Sequence, residues 1–299
     1  MKTSKTYLAL MVALIACSIT FTSCRKKETT PAVEPDLETS TATDNNIAEV
    51  IAVDIEAIAS HVSESGTFTT FMTPCAAVSS NTATKTYTVD FGTTGCVGTD
   101  GRTRTGKLYL NYSGSTPTTA VYYRHYGFKL VVTSSNYVVD GNAVSIAGYT
   151  ITNSTSPTAP TGTNLTWSVT ANISVAKASS GGTISWSCIR TKELTTSHWP
   201  VYYSQNATID WTLAKVRFNG TATGINTKGE SFTAVATDLL KDYNCAPDVS
   251  KPKRYPIISG KIVYTPANRS VRRIDFGTGG CDFNGTVVIN GQSWPFILP

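Results

Sequence analysis

Residues that usually carry catalysis are scarce in this 299-residue chain. There are three histidines, His61, His125 and His198, and none stands in HExxH or another paired spacing, which excludes the common zinc patterns. CxxC, GxSxG and GxxxxGKS/T are all absent, which removes the thioredoxin-type redox pair, the nucleophile elbow and the phosphate loop. Charged residues make up 15% of the chain, and the 20 acidic ones form no suggestive cluster. A formal net charge of +5 is too weak a balance to imply nucleic acid as a partner. No cofactor or metal site is expected. After the first two dozen residues no second long apolar run occurs, so no spanning helix is expected.

The N-terminus, MKTSKTYLALMVALIACSITFTSC, has Lys2 and Lys5 ahead of the apolar run Tyr7–Ala16 and then small and polar residues up to Cys24. This is the layout of an export signal and is too short to span a bilayer. It resembles a bacterial lipoprotein signal, with FTSC as the lipobox and Cys24 as the acylated residue. Cys17, in LIAC, fits the strict lipobox better, but the polar RKKETTPAVEPDLETSTATDN follows Cys24 directly and reads as a tether. Removing residues 1–23 takes away two lysines and no acid, which lowers the net charge from +5 to +3. Residues 24–44, with Pro31, Pro35 and many Thr and Glu, bury too little apolar surface to order themselves and are expected to form a flexible stalk of roughly 25 Å.

From Asn45 onward Ile47, Ile51, Ile55, Ile58 and Val62 share one helical stripe, which predicts an amphipathic helix over about 46–63 packed on a sheet, with Asn46 and Glu49 as a capping pair. The period then becomes two. In NLTWSVTANISVA, Leu165, Trp167, Val169, Ala171, Ile173 and Val175 alternate with Thr166, Ser168, Thr170, Asn172 and Ser174, as only a strand allows. GTISWSC continues the alternation with Ile184, Trp186 and Cys188. Asn290-Gly291 between alternating runs is a strong hairpin signal. Residues 45–299 are therefore expected to be an all-β domain, an antiparallel up-and-down meander of about twelve to fourteen strands, with one N-terminal amphipathic helix. Sandwich and curled open sheet both fit the pattern, and a sub-boundary near 150–162 is allowed.

The heptapeptide DFGTTGC at Asp90 returns as DFGTGGC at Asp275. In both copies a strand reaches Asp-Phe-Gly, a Cys follows the Phe by five positions, and a Gly-containing turn restarts the sheet. The kinase reading of DFG fails, because no Gly-rich loop, strand lysine or HRD loop accompanies it. An exported chain meets an oxidising compartment. The pairs Cys75–Cys96 and Cys245–Cys281 are expected, each contributing roughly 3 kcal/mol through loop closure, with Cys96–Cys281 as the alternative. Cys188 is left over as a buried core thiol, against a Cys188–His198 catalytic pair. Asp90 and Asp275 are expected to pair with Arg102, Arg104, Arg272 or Arg273.

The stretches DFGTTGCVGTDGRTRTGKLYL and RRIDFGTGGCDFNGTVVINGQSWPF also resemble elements of uncharacterised exported lipoproteins of Gram-negative bacteria. That resemblance implies lipidation and an envelope location and implies no catalytic residue. Two aromatic groups attract attention. VYYRHYGFKLVV reads as a strand with Tyr122, Arg124, Tyr126, Phe128 and Leu130 on one face and Tyr123 and His125 on the other. Trp199, Tyr202 and Tyr203 in SHWPVYY offer flat faces suited to a glycan. The expectation is a non-catalytic lipoprotein held to the outer membrane by acylated Cys24, acting as a structural or interaction module toward a glycan or protein partner. The alternative is a ligand-binding lipoprotein for glycan or lipid.

Overall fold

The computed structural model of the protein describes residues 36–65, 75–156, 164–195, 214–245 and 256–297. They belong to one compact unit, Asp36–Pro299. Among the described residues one α-helix, α1 (Ser40–Ser65), precedes fourteen strands. The first seven are β1 (Ala77–Asn81), β2 (Thr86–Asp90), β3 (Cys96–Val97), β4 (Thr103–Asn111), β5 (Lys129–Val139), β6 (Asn142–Asn153) and β7 (Thr166–Ala176). The rest are β8 (Thr183–Leu194), β9 (Lys215–Ile225), β10 (Ser231–Asp242), β11 (Ile257–Pro266), β12 (Arg272–Thr278), β13 (Asn284–Ile289) and β14 (Gln292–Ile297). They form a single antiparallel meander in chain order, with the two-residue β3 set aside on β4. β1 and β14 remain as free edges, so the sheet is open.

The alternation read from the sequence holds along β7 and β8. Trp167, Val169, Ala171, Ile173 and Val175 are buried, as are Ile184, Trp186 and Cys188, while the intervening Thr and Ser face outward. The possible sub-boundary near 150–162 falls between two paired strands. β6 and β7, on either side of it, pair continuously from Ala143↔Ala176 to Asn153↔Trp167 apart from one bulge.

The sheet curls around α1. Side chains from β4, β5, β6 and β8 reach the helix, and Arg272 of β12 reaches the Glu38 carbonyl just ahead of it. Bulges allow the curl, because an extra residue bends a strand and increases its twist. At the β10–β11 shift Gly260 sits at φ +104°, and a Cβ there would lie 2.3 Å from the Asp238 carbonyl oxygen. At the β4–β5 shift Gly106 sits at φ +79°, and a Cβ would lie 2.1 Å from the Asn136 oxygen. No side chain fits at either bend.

The helix begins at Ser40, six residues ahead of the expected start, so residues 40–44 are helix and not stalk. The chain before it is also docked: Asp36 pairs with Arg272 at 2.9 Å, and Glu38 accepts the Thr41 N–H at 3.2 Å near the helix start. Composition predicted a tether because it cannot register cations that arrive from the far end of the chain. Asn46 and Glu49 consequently lie inside the helix and do not cap it.

The repeated heptapeptide is a repeated local structure. β2 ends at Asp90, whereas β12 runs on through the second copy to Thr278. In each copy the Asp carboxylate accepts the N–H of the Gly two residues on, at 2.9 Å, and the Phe enters the core. Each Asp pairs with the residue directly opposite on the ladder, Asp90 with Lys107 at 2.7 Å and Asp275 with Lys261 at 3.3 Å. The partners are thus lysines and not the expected arginines. Arg102, Arg104 and Arg272 are held by other carboxylates.

The sulphurs of Cys75 and Cys96 lie 1.94 Å apart and those of Cys245 and Cys281 2.10 Å apart, which removes the Cys96–Cys281 alternative. One staple lies near each end of the strand order. The C-terminal hairpin turns at Asn290 and Gly291, both at positive φ, as an Asn-Gly two-residue turn requires. With two bridges, the intact mass of the non-reduced protein falls about 4 Da below that of the fully reduced chain, two hydrogens per bridge. Mass spectrometry with and without reductant checks this, and of the five cysteines in residues 36–299 Cys188 alone accepts an alkylating reagent after denaturation.

Candidate functional site: the buried helix and the groove beside it

α1 carries five acidic residues, Asp44, Glu49, Asp54, Glu56 and Glu64, and no Lys or Arg. With 3.6 residues per turn they point to several sides, so no single neighbour meets them all. Each is buried, and each is paired. Asp44 takes Lys177 at 2.8 Å and the Thr227 N–H at 3.0 Å. Glu49 accepts two hydrogen bonds from Arg190, at 2.5 and 3.2 Å. Asp54 accepts two from Arg104, at 2.6 and 3.1 Å, and Asp100 shares that guanidinium. Glu56 pairs with Lys192 and accepts the Tyr123 hydroxyl at 2.6 Å. Glu64 pairs with Arg124.

Uncharged groups complete the seating. The Trp186 indole donates to Asn45 Oδ1 at 3.1 Å, and the Tyr149 hydroxyl donates to the Ala52 carbonyl at 2.7 Å. Ile51, Ile55, Ile58 and Val62 from the expected stripe are buried, while Ile47 is only half-buried. The helix therefore has no solvated polar side along most of its length.

Charge equilibria follow from this packing. Burial opposes the Asp54 charge, yet Arg104 and Arg102 hold its carboxyl below the usual range. Burial also opposes the charge on Glu38, but hydrogen bonds from Ser40 and Lys228 bring it down to about 2. Burial pulls Lys192 below the ordinary lysine range while Glu56 works the other way. His61 is pushed well below its usual value by burial and then by Lys192 and Lys241, so it is neutral. Burial, with Glu49 nearby, pushes the Cys188 thiol up to about 12, so it is not a nucleophile at neutral pH.

The segment VYYRHYGF is a turn-rich connection between β4 and β5 and not the start of a strand, so its residues do not alternate. Tyr123, Arg124 and Phe128 are all buried, while Tyr126 is 45% exposed. Tyr123 stacks on Trp167 with centroids 4.7 Å apart, and the Lys192 ammonium lies 5.0 and 5.3 Å from the two rings. These aromatics support the Glu56–Lys192 pair and are closed to a ligand. Cys24, His198, Trp199, Tyr202 and Tyr203 lie outside the described residues.

An apolar groove of about 390 Å³ runs between α1 and the last strands. Thr39, Ala42, Thr43, Asn46 and Ile47 form the helix wall, Ile274 and Val287 contribute from β12 and β13, and Trp294–Ile297 form the wall along the sheet's free edge. None of the lining residues is charged. Among the described residues no group of three or more His, Cys, Asp or Glu is placed to hold a metal ion. No protein-family model, curated protein or solved structure matches the chain.

Sequence reasoning missed the cations that hold α1, although a signal was present. Arg190 and Lys192 continue the inward phase of Ile184, Trp186 and Cys188, and Arg272 is in phase with Ile274 and Phe276. Cations at core positions announce buried acids elsewhere.

Two outcomes follow for stability. Glu49→Ala leaves the Arg190 charge buried without its partner and destabilises by about 3–5 kcal/mol, whereas the double change Glu49→Met with Arg190→Met is neutral or stabilising. Urea unfolding of the variants measures both. Asp54 and Glu38 have folded pKa values below their unfolded ones, so in acid the unfolded chain binds more protons. Their contribution is complete above the ordinary values of 3.8 and 4.5 and is lost progressively in acid, for Glu38 as pH falls toward about 2, which thermal melts from pH 6 to 2 would follow.

Proposed function

We propose that the chain is a non-catalytic envelope lipoprotein, anchored to the outer membrane through acylated Cys24, whose β domain serves as an interaction module. The observation that carries this reading is the filling of the curled sheet by the protein's own helix. The interior carboxylates and cations that an enzyme would spend on a substrate hold α1 in place. Cys188 is buried with a raised thiol pKa, which argues against its use as a nucleophile. The two disulfides suit an oxidising compartment, and the likeness of the signal and of the DFG segments to exported lipoproteins supports the same location.

A second reading, a ligand-binding lipoprotein, is favoured by the uncharged groove between α1 and β14. Its volume lies in the ~300–1,000 Å³ range of small-molecule sites. In this reading the ligand sits at the rim of the sheet, since the helix takes the interior.

Anchoring is tested by growing expressing cells with labelled palmitate. Cys24→Ser loses the label and Cys17→Ser keeps it. Label retained in Cys24→Ser overturns the assignment.

A further inference from the structure

We propose that the groove between α1 and β14 holds the acyl chain of a membrane lipid, an inference that rests on the ligand-binding reading above. Three features of the groove select this chemistry. The first is charge. The protein pairs carboxylates and cations throughout the neighbouring structure, with Asp36, Glu38, Arg269 and Arg272 clustered at the start of α1. None of these lines the groove, whose walls carry Ala42, Ile47, Ile274, Val287, Trp294, Phe296 and Ile297. An uncharged slot excludes an ionic ligand and favours an alkyl one.

The second feature is the edge strand. β14 leaves a free sheet edge beside the groove, which would ordinarily invite an extended peptide. Pro295 stands in the middle of that six-residue strand and has no N–H to give. Its neighbours Trp294 and Phe296 turn into the groove, while Ile297 is 76% exposed at its margin. An alkyl chain needs no backbone donor and suits such an edge better than a peptide.

The third feature is the helix wall. Thr39, Thr43 and Asn46 place neutral hydrogen-bonding groups among the apolar ones. Asn46 is 6% exposed, and its Oδ1 has no hydrogen-bond partner among the described residues. The unpaired Asn46 Oδ1 can only accept, so it matches a lipid hydroxyl, while the Thr39 and Thr43 hydroxyls can donate to an ester oxygen, and neither requires a charge. Anchoring at Cys24 would hold the domain within reach of such chains.

The full-length lipidated protein, reconstituted in phosphatidylcholine vesicles carrying a diazirine on one acyl chain, tests the proposal. After irradiation, peptide mapping should place the adduct on the peptides containing Ala42–Ile47 and Trp294–Ile297. Thr43→Trp, at an exposed helix position that projects into the groove, should remove that adduct while leaving the two disulfides and the circular dichroism unchanged. Asn46→Leu should retain apolar labelling. Adduct scattered over other exposed apolar residues such as Ile189, or unchanged groove adduct in Thr43→Trp, overturns the proposal. In a second preparation, with the diazirine carried by the acyl group on Cys24 and none on the vesicle lipid, a crosslink joining the groove to that group overturns the choice of a membrane lipid as the source. Palmitate labelling of Cys24 is read separately in the same preparations, so loss of the anchor is not mistaken for an empty groove.

Discussion

Everything else in the structure depends on the match between five carboxylates on one helix and five cations supplied by the sheet and its connections. Burying an ion pair is expensive, and the attraction recovers that cost only when the geometry is good and the remaining polar atoms are bonded. Here Arg104 and Arg190 grip their carboxylates with two nitrogens each, and Tyr123 adds a hydrogen bond to Glu56. Such pairs add specificity more than net stability, because a helix rotated or shifted by one residue leaves several charges buried alone. Neither partner is complete without the other. The inner face of the sheet, with Arg104, Arg190 and Lys192 among its apolar rows, cannot close dry around an uncharged filling.

The same constraint shapes what the molecule can do. A curled sheet without a filling would offer a long internal cavity, but α1 occupies it and uses up the interior polar chemistry. What remains accessible lies at the rim, where the sheet ends at β14 and does not reach back across the helix to β1. The groove results from that incomplete closure. The two disulfides and the two Asp-Phe-Gly segments act near opposite ends of the strand order. The heptapeptide recurs because each end needs the same device: an aspartate that caps its own turn and meets a lysine across the ladder, a phenylalanine in the core, and a cysteine to tie the following turn.

Much of this could be read directly from the chain. The alternation in β7 and β8, the Asn-Gly hairpin and the stripe Ile51, Ile55, Ile58 and Val62 are short-range patterns whose physics is local. The start of the helix was misplaced because its true boundary depends on Arg272, more than two hundred residues away. The stretch around Tyr123 has the aromatic and β-branched residues that favour strands, and tertiary contacts with Trp167 and Lys192 override that preference.

The sequence by itself determined the strand period, the antiparallel order and the presence of a helix ahead of the strands, since each follows from neighbours along the chain or from side-chain alternation, whereas the choice between the cysteine pairings was made by the tertiary structure. Only the tertiary structure decided that the helix lies inside the curl of the sheet and not on an outer face. That choice is electrostatic and long-range: acids spread around a helix need cations from many directions, and only a sheet curled around it supplies them. The groove at the rim is likewise a tertiary result, formed where the curl stops short and leaves uncharged walls facing one another.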